Sequence, residues 1–303
     1  MLKKALLIGI NEYPDVPLRG CVNDVMQMKE ALIDLFGFAP ENIQMILDRE
    51  ATQKGVVEGL DWLAQGGNEQ AVRVFHYAGH GHFVPDKSGD EPDGADEALV
   101  PYDHERNGYL IDDHLKELYD RFPANGNLTL IMDCCHSGTN QRDVEHDVIY
   151  RFLPVSYADR KAIAEAKRKF LQAQREFVLR EMKQFKSQKT LRGPDEEFEK
   201  RVMAAMQSFK KQRYGDHRVR EGNVLIAACQ SDQKAADAKF DKTYHGAFTF
   251  FLVKLLRETE GRIPHLELVQ KLGDLLDDHD FKQIPQLECL EGRNAANLFA
   301  AFS

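Results

Sequence analysis

Short apolar runs that stop abruptly at a glycine, an acid or a thiol recur along this chain, and most are followed by a stretch of helical period. Lys4–Ile10, Asn42–Leu47, Val72–Tyr77, Leu128–Met132 and Asn223–Cys229 are such runs. Their length and lack of alternation predict strands covered on both faces. Asp24–Phe36 carries Val25, Met28, Ala31, Leu32 and Leu35 at helical spacing. Thr52–Ala64, with Thr52 as its cap, and Ile111–Arg121 repeat that pattern. A short strand over Ala98–Val100 ends at Pro101, after a loop, Asp86–Glu97, with six acids. Strand and helix in alternation predict a mostly parallel sheet with helices on both faces. The alternation resumes late in the chain, with helices over His245–Glu258 and Ile263–Asp277 and a last strand over Gln286–Leu290.

Between about 150 and 220 the chain changes character. Residues 151–220 hold 19 Lys/Arg against 9 Asp/Glu, a net +10, whereas the whole chain carries −9. Ile163, Ala166, Phe170, Ala173, Phe177 and Phe185 recur at helical spacing. Gly193-Pro194 interrupts the pattern, and Phe198, Val202, Ala205, Met206 and Phe209 continue it. The expectation is a basic helical hairpin inserted into one α/β body. The division is then 1–150 as a larger segment, 151–220 as insert and 221–303 as a smaller segment completing the same sheet.

No apolar run approaches the roughly 20 residues that span a bilayer. The apolar run at Ala5–Ile10 is short for a signal sequence and lacks a small-residue cleavage site. The five cysteines are too few and scattered for a disulfide framework. A cytoplasmic protein without a membrane partner is expected.

Two of the apolar runs deliver chemistry. Val72–Tyr77 leads into Ala78-Gly79-His80-Gly81, and Leu128–Met132 leads into Asp133-Cys134-Cys135-His136-Ser137-Gly138. Carboxyl ends of adjacent parallel strands share one edge of a sheet, where ligands bind. A thiol and an imidazole at that edge are the parts of a cysteine nucleophile and its base. Cys135 is expected to attack and His80 to move the proton, with the backbone N–H groups of Gly81 and Cys135 receiving an oxyanion. Alternation turns Cys134 away from Cys135. Zinc binding by His76, His80, His82, Cys134, Cys135 and His136 is the rival chemistry, although no standard spacing of zinc ligands is present.

The segments HYAGHGH and DCCHSG resemble those of the metacaspases and their bacterial relatives among the caspase-like cysteine proteases. ALLIGINEY, LRGCVNDV, DEALVPYD, AACQSDQKAADA and GAFT match in the same order. The resemblance covers nearly the whole chain outside roughly 150–220. It implies a caspase-like three-layer α/β/α sandwich, with His80 as base and Cys135 as nucleophile. It also implies cleavage after Arg or Lys in an acidic pocket whose matching positions are Cys21, Asp24, Ala78 and Asp133. A pair of buried carboxylates suits a guanidinium, although Asp24 could instead cap the helix that follows it. The resemblance further implies calcium as an activator, held by Asp96, Asp112, Asp113 and a later acid. At the usual offset for that acid stands Arg142, so Asp143, one position on, is the candidate.

The expected function is therefore a cysteine endopeptidase that needs no cofactor for its chemistry. Its expected partners are proteins with exposed Arg or Lys sites. The basic insert is expected to be cut, by the enzyme itself or by an activating protease, to release a zymogen. Two other classes stand beside this one. A silent caspase-fold scaffold would keep the fold without activity. A binding module would use the insert on nucleic acid or an acidic partner; nucleic acid is not the expected ligand of a chain whose body is acidic.

Overall fold

The computed structural model of the protein describes residues 1–123, 126–135, 148–186, 196–214, 223–230, 233–289 and 295–299. In chain order, β1 (Lys3–Gly9) leads to α1 (Cys21–Phe36), β2 (Ile43–Leu47), α2 (Gln53–Ala64) and β3 (Val72–Ala78). Three short strands follow, β4 (Gly81–Pro85), β5 (Ala95–Leu99) and β6 (Leu110–Ile111), with the single turn α3 (His104–Asn107) between the last two. Next come α4 (Asp112–Tyr119), β7 (Asn127–Asp133), β8 (Ile149–Tyr150), α5 (Tyr157–Lys186) and α6 (Glu196–Tyr214). The chain closes with β9 (Asn223–Ala227), β10 (Ala236–Phe240), β11 (Thr243–Gly246), α7 (Ala247–Glu258), α8 (His265–Asp278) and β12 (Gln286–Glu288).

Six strands form the main sheet in the order β12-β9-β7-β3-β1-β2. All its pairs are parallel except β12 with β9. Ala5, Leu6, Leu7 and Ile8 of β1 are wholly buried, as a strand covered on both faces requires. Alternate residues serve opposite layers. Leu6 and Ile8 join Phe75 and Tyr77 of β3 and Val56, Leu60 and Leu63 of α2 in one core. Gly9 faces α1, where an added Cβ would stand 2.7 Å from the Cys21 carbonyl oxygen. The helix can lie that close to the strand only over a glycine. Thr52 caps α2, its hydroxyl accepting from the Gly55 N–H at 3.0 Å.

Two compact units are present, one made of Met1–His82, Glu97–Pro154 and Val219–Ser303, the other of Phe83–Asp96 and Val155–Arg218. In the second unit α5 and α6 pack as a hairpin through Phe170, Met182, Ala205 and Phe209, all buried. The rings of Phe170 and Phe209 meet edge to face at 5.5 Å. Among the described residues no helix is long and apolar enough to cross a membrane.

The sequence reading did not mark β4, β6, β8, β10 or β11, and β5 begins at Ala95 inside the expected Asp86–Glu97 loop. The helix expected from His245 begins at Ala247, because Thr243–Gly246 is a strand, β11, paired antiparallel with β10. The two-residue β8 pairs with the other edge of β10. Strands this short carry no periodic signal.

Phe75→Ala is expected to cost about 3–5 kcal/mol of stability, read by denaturant unfolding. A loss below about 1 kcal/mol would contradict its place in the core.

Candidate active site

Strands β3 and β7 are neighbours with Ala78 opposite Asp133. His80 and Cys135 therefore leave the same edge of the sheet, each two residues beyond a paired position. His80 is fully buried. Its backbone N–H donates to the Tyr13 hydroxyl at 3.1 Å, and the Tyr13 ring leans on the imidazole at 4.6 Å between centroids. The ring Nε2 lies 2.7 Å from the Val16 carbonyl oxygen. A carbonyl only accepts, so Nε2 carries the proton and Nδ1 keeps its lone pair. Among the described residues, Nδ1 is buried without a hydrogen-bond partner. Burial pulls His80 down from 6.5 to about 4, so the ring is neutral at pH 7. Gly79 allows this packing, since an added Cβ would stand 2.7 Å from the hydroxyls of both Tyr13 and Tyr77.

Cys134 and Cys135 are both buried. Cys134 belongs to the hydrophobic core. Cys135 has the Cys229 thiol as neighbour, and this contact, with burial, pushes the Cys229 thiol far up.

Asp24 and Asp133 are fully buried, and the cation between them is the chain's own Arg151, also fully buried. Nη2 of Arg151 bonds Asp24 Oδ2 at 2.5 Å, and Nη1 bonds Asp133 Oδ2 at 3.0 Å. Asp24 lies inside the first turn of α1, whose cap position is Gly20, so it does not cap the helix. Its carboxylate instead accepts from the Gly246 N–H at 3.0 Å and faces His245 Nδ1 at 3.1 Å. Asp133 accepts from the Thr249 hydroxyl at 2.6 Å and the Thr249 N–H at 3.1 Å. Burial raises Asp133 to about 6; Arg151 opposes that rise and Asp24 adds to it. Burial works against the Arg151 charge, but the carboxylates around it win and lift it well above its usual value. Gly246 leaves room for the guanidinium, since an added Cβ would stand 2.5 Å from Arg151 Nη1. Cys21 and Ala78 are both buried beside these strand ends.

The backbone around Arg151 is held as firmly as its side chain. Tyr150 and Ile149 pair antiparallel with Ala236 and Asp237. The Arg151 N–H donates to the Ala235 carbonyl at 2.9 Å. The Arg151 carbonyl accepts from Gly81 N–H at 3.0 Å and from Cys135 N–H at 3.2 Å. Leu153 N–H then donates to the Gly81 carbonyl at 2.9 Å. Residues 149–153 thus pass through the site with a bend at Arg151, whose carbonyl is held at the Cys135 N–H. Two N–H groups converging on one carbonyl can stabilise an oxyanion there.

The expected metal ligands are spread over several elements. Asp112 and Asp113 open α4. Asp96 lies on β5, and its carboxylate oxygen is within 4.8 Å of those of Asp86 and Asp90. Asp143 lies outside the described residues. Among the described residues, no three donors drawn from His76, His80, His82, Cys134 and Cys135 gather as a metal site would require. His136 lies outside the described residues.

Sequence reasoning missed Arg151, Thr249, Gly246 and the Val16 carbonyl. Arg151 is one of many basic residues with no local pattern to mark it. Gly246 and Thr249 bound the GAFT segment, and Ala235 opens the closing AADA of AACQSDQKAADA, so the matching segments already contained them without a role.

Residues 3–142 match the family model for the metacaspase, peptidase C14 domain. Metacaspase-1 of Scheffersomyces stipitis is 28% identical over 299 residues, covering 95% of this chain and 70% of the relative. Metacaspase-6 of Arabidopsis thaliana is 28% identical over 360 residues, covering 95% and 97%. The crystal structure of caspase-1 from Spodoptera frugiperda superimposes with a TM-score of 0.52 at 11% identity, over 95% of this chain and 86% of that one. The fold is caspase-like.

In a Cys135→Ala background, with Cys135→Ala alone as the reference, Arg151→Met leaves two buried carboxylates without their cation and is expected to cost about 3–5 kcal/mol at neutral pH. Asp133 already titrates at about 6, above its ordinary 3.8. Losing the opposing guanidinium raises it further. A raised carboxyl means that the folded state binds the proton more tightly than the unfolded one. Stability is then lost as pH rises through the folded value and recovered below it. The deficit of the variant should therefore shrink from pH 8 to pH 5 in urea unfolding; a deficit that does not change with pH would contradict this.

Proposed function

We propose that this chain, whose residues 3–142 match the metacaspase peptidase C14 model and which is similar to metacaspases over 95% of its length, is an endopeptidase cutting after arginine or lysine, and that its first substrate is its own Arg151–Phe152 bond. One observation carries this reading. The Arg151 guanidinium bridges Asp24 and Asp133 while its carbonyl accepts from Gly81 and Cys135. A substrate arginine would need the same contacts.

The chemistry follows from these positions. His80 Nδ1 takes the Cys135 thiol proton, and the thiolate adds to the Arg151 carbonyl carbon. Negative charge moves onto the carbonyl oxygen, between the two N–H groups that already hold it. The adduct collapses as His80 returns the proton to the Phe152 nitrogen, leaving a thioester at Arg151 and a free amine at Phe152. Water, deprotonated by His80, then hydrolyses the thioester to the Arg151 carboxylate and the Cys135 thiol. The bond from Nε2 to Val16 leaves Nδ1 as the ring nitrogen with a lone pair for this step. Cys21 and Ala78 would be walls of the same pocket.

The pocket geometry sets a preference. Nη1 and Nη2 reach different carboxylates, which uses the planar fork of arginine; a lysine ammonium offers a single centre. Arginine should be cut faster than lysine, and aspartate should not be cut. Until residues 149–153 leave, they exclude other substrates, so the uncut chain is a zymogen. Another protease cutting in 151–220 would also loosen the segment. Proteins with exposed Arg or Lys are the substrates that follow, and the cytoplasm remains the proposed location.

Calcium enters as an activator. Asp96, Asp112 and Asp113, with Asp143, offer only hard oxygen donors of the kind calcium takes. Asp112 and Asp113, at the start of α4, would hold the ion within the larger unit, and no step above passes through it. A chelator should then slow cleavage without altering the choice of arginine.

Peptides differing only in Arg, Lys or Asp before the scissile bond test the reading. Wild type should show kcat/KM falling from Arg to Lys and no turnover of Asp, and Cys135→Ala should lose at least about 10³-fold. Equal turnover of Asp and Arg peptides, or full activity in Cys135→Ala, would overturn it.

A further inference from the structure

We propose that His82 and Tyr109 form a subsite for the two residues after the scissile bond, and that it selects an aromatic or large apolar residue at the first of them. The inference rests on the arginine-peptidase reading above, because it takes residues 152 and 153 as the leaving side of a bound substrate.

Phe152 and Leu153 are only 3% and 5% exposed, although they belong to a segment that must depart. Phe152 forms a parallel bridge with Gly81. Leu153 donates its N–H to the Gly81 carbonyl at 2.9 Å. Its own carbonyl lies 2.8 Å from His82 Nδ1. Since that carbonyl can only accept, Nδ1 of His82 is the donor. This bond does not depend on the identity of the second residue and fixes the register of the leaving strand.

Selection comes from the rings. His82 stacks on Tyr109 with centroids 4.3 Å apart and planes 29° apart. The Phe152 ring lies over His82 at 6.4 Å, again with planes at 29°. An aromatic side chain after the cut thus extends an existing stack and buries its surface. A carboxylate there would lose its water and face two rings with no cation among the groups just named.

The test uses the full chain and peptides identical through Val-Ile-Tyr-Arg, followed by Phe-Leu, Gly-Leu or Asp-Leu, with Arg carrying a dye directly as a fourth substrate. Wild type should cleave the Phe peptide about tenfold or more better than the Asp peptide, mostly through KM. In His82→Ala the Phe-to-Asp ratio should collapse toward one. In His82→Asn, which keeps a side-chain donor but no ring, the ratio should also collapse while the KM for Gly-Leu stays below that of His82→Ala. Cleavage of the dye substrate by wild type with no difference between Phe and Asp peptides would overturn this inference alone, as would a ratio unchanged in His82→Ala. Failure of wild type to cleave the dye substrate would overturn the arginine-peptidase reading and this inference with it.

Discussion

A fully buried guanidinium held between two fully buried carboxylates is the interaction around which the larger unit is arranged. Three parts of the chain meet there: the start of α1 brings Asp24, the end of β7 brings Asp133, and the junction of β11 and α7 brings Gly246 and Thr249. Buried charges are tolerated only when paired and hydrogen-bonded, and here each carboxylate has backbone or hydroxyl donors besides Arg151. The arrangement also explains why β11 interrupts the expected helix. Gly246 pairs with Asp237 of β10 as the last residue of β11, and from there it presents its N–H to Asp24 with its Cα bare beside Arg151.

The same contacts make the proposed site self-limiting. What stabilises the uncut chain is the occupancy of the pocket by Arg151, and in the proposal that occupancy also sets the scissile carbonyl against Cys135. Breaking the Arg151–Phe152 bond would separate these roles. The guanidinium could then leave with residues 149–151, and the carboxylates would need another cation. In the proposal, the opened site would receive another arginine because its carboxylates are already arranged around the one at Arg151.

Much of this was readable from residue order. The parallel sheet followed from apolar runs such as Leu128–Met132, and adjacency of His80 and Cys135 followed from both lying just past strand ends. Asp24 and Asp133 as a pair came from the resemblance, and their convergence on one cation is a tertiary fact. Arg151 could not be singled out, because nothing in its neighbours distinguishes it from the basic residues that follow. The strand that docks it, β8, has two residues and depends on β10 for its existence. Val16 acts through a carbonyl, which every residue has, so its role depends only on where the loop after β1 passes. Thr249 stood within a matching segment, but its bond to Asp133 spans 116 positions.

The most direct test is the intact mass of the purified full chain beside Cys135→Ala. The account predicts two fragments from wild type, ending at Arg151 and beginning at Phe152, and a single uncut chain from the variant. A cut at Arg151–Phe152 that persists in Cys135→Ala, or a wild-type chain that stays whole while cleaving arginine peptides, would contradict it.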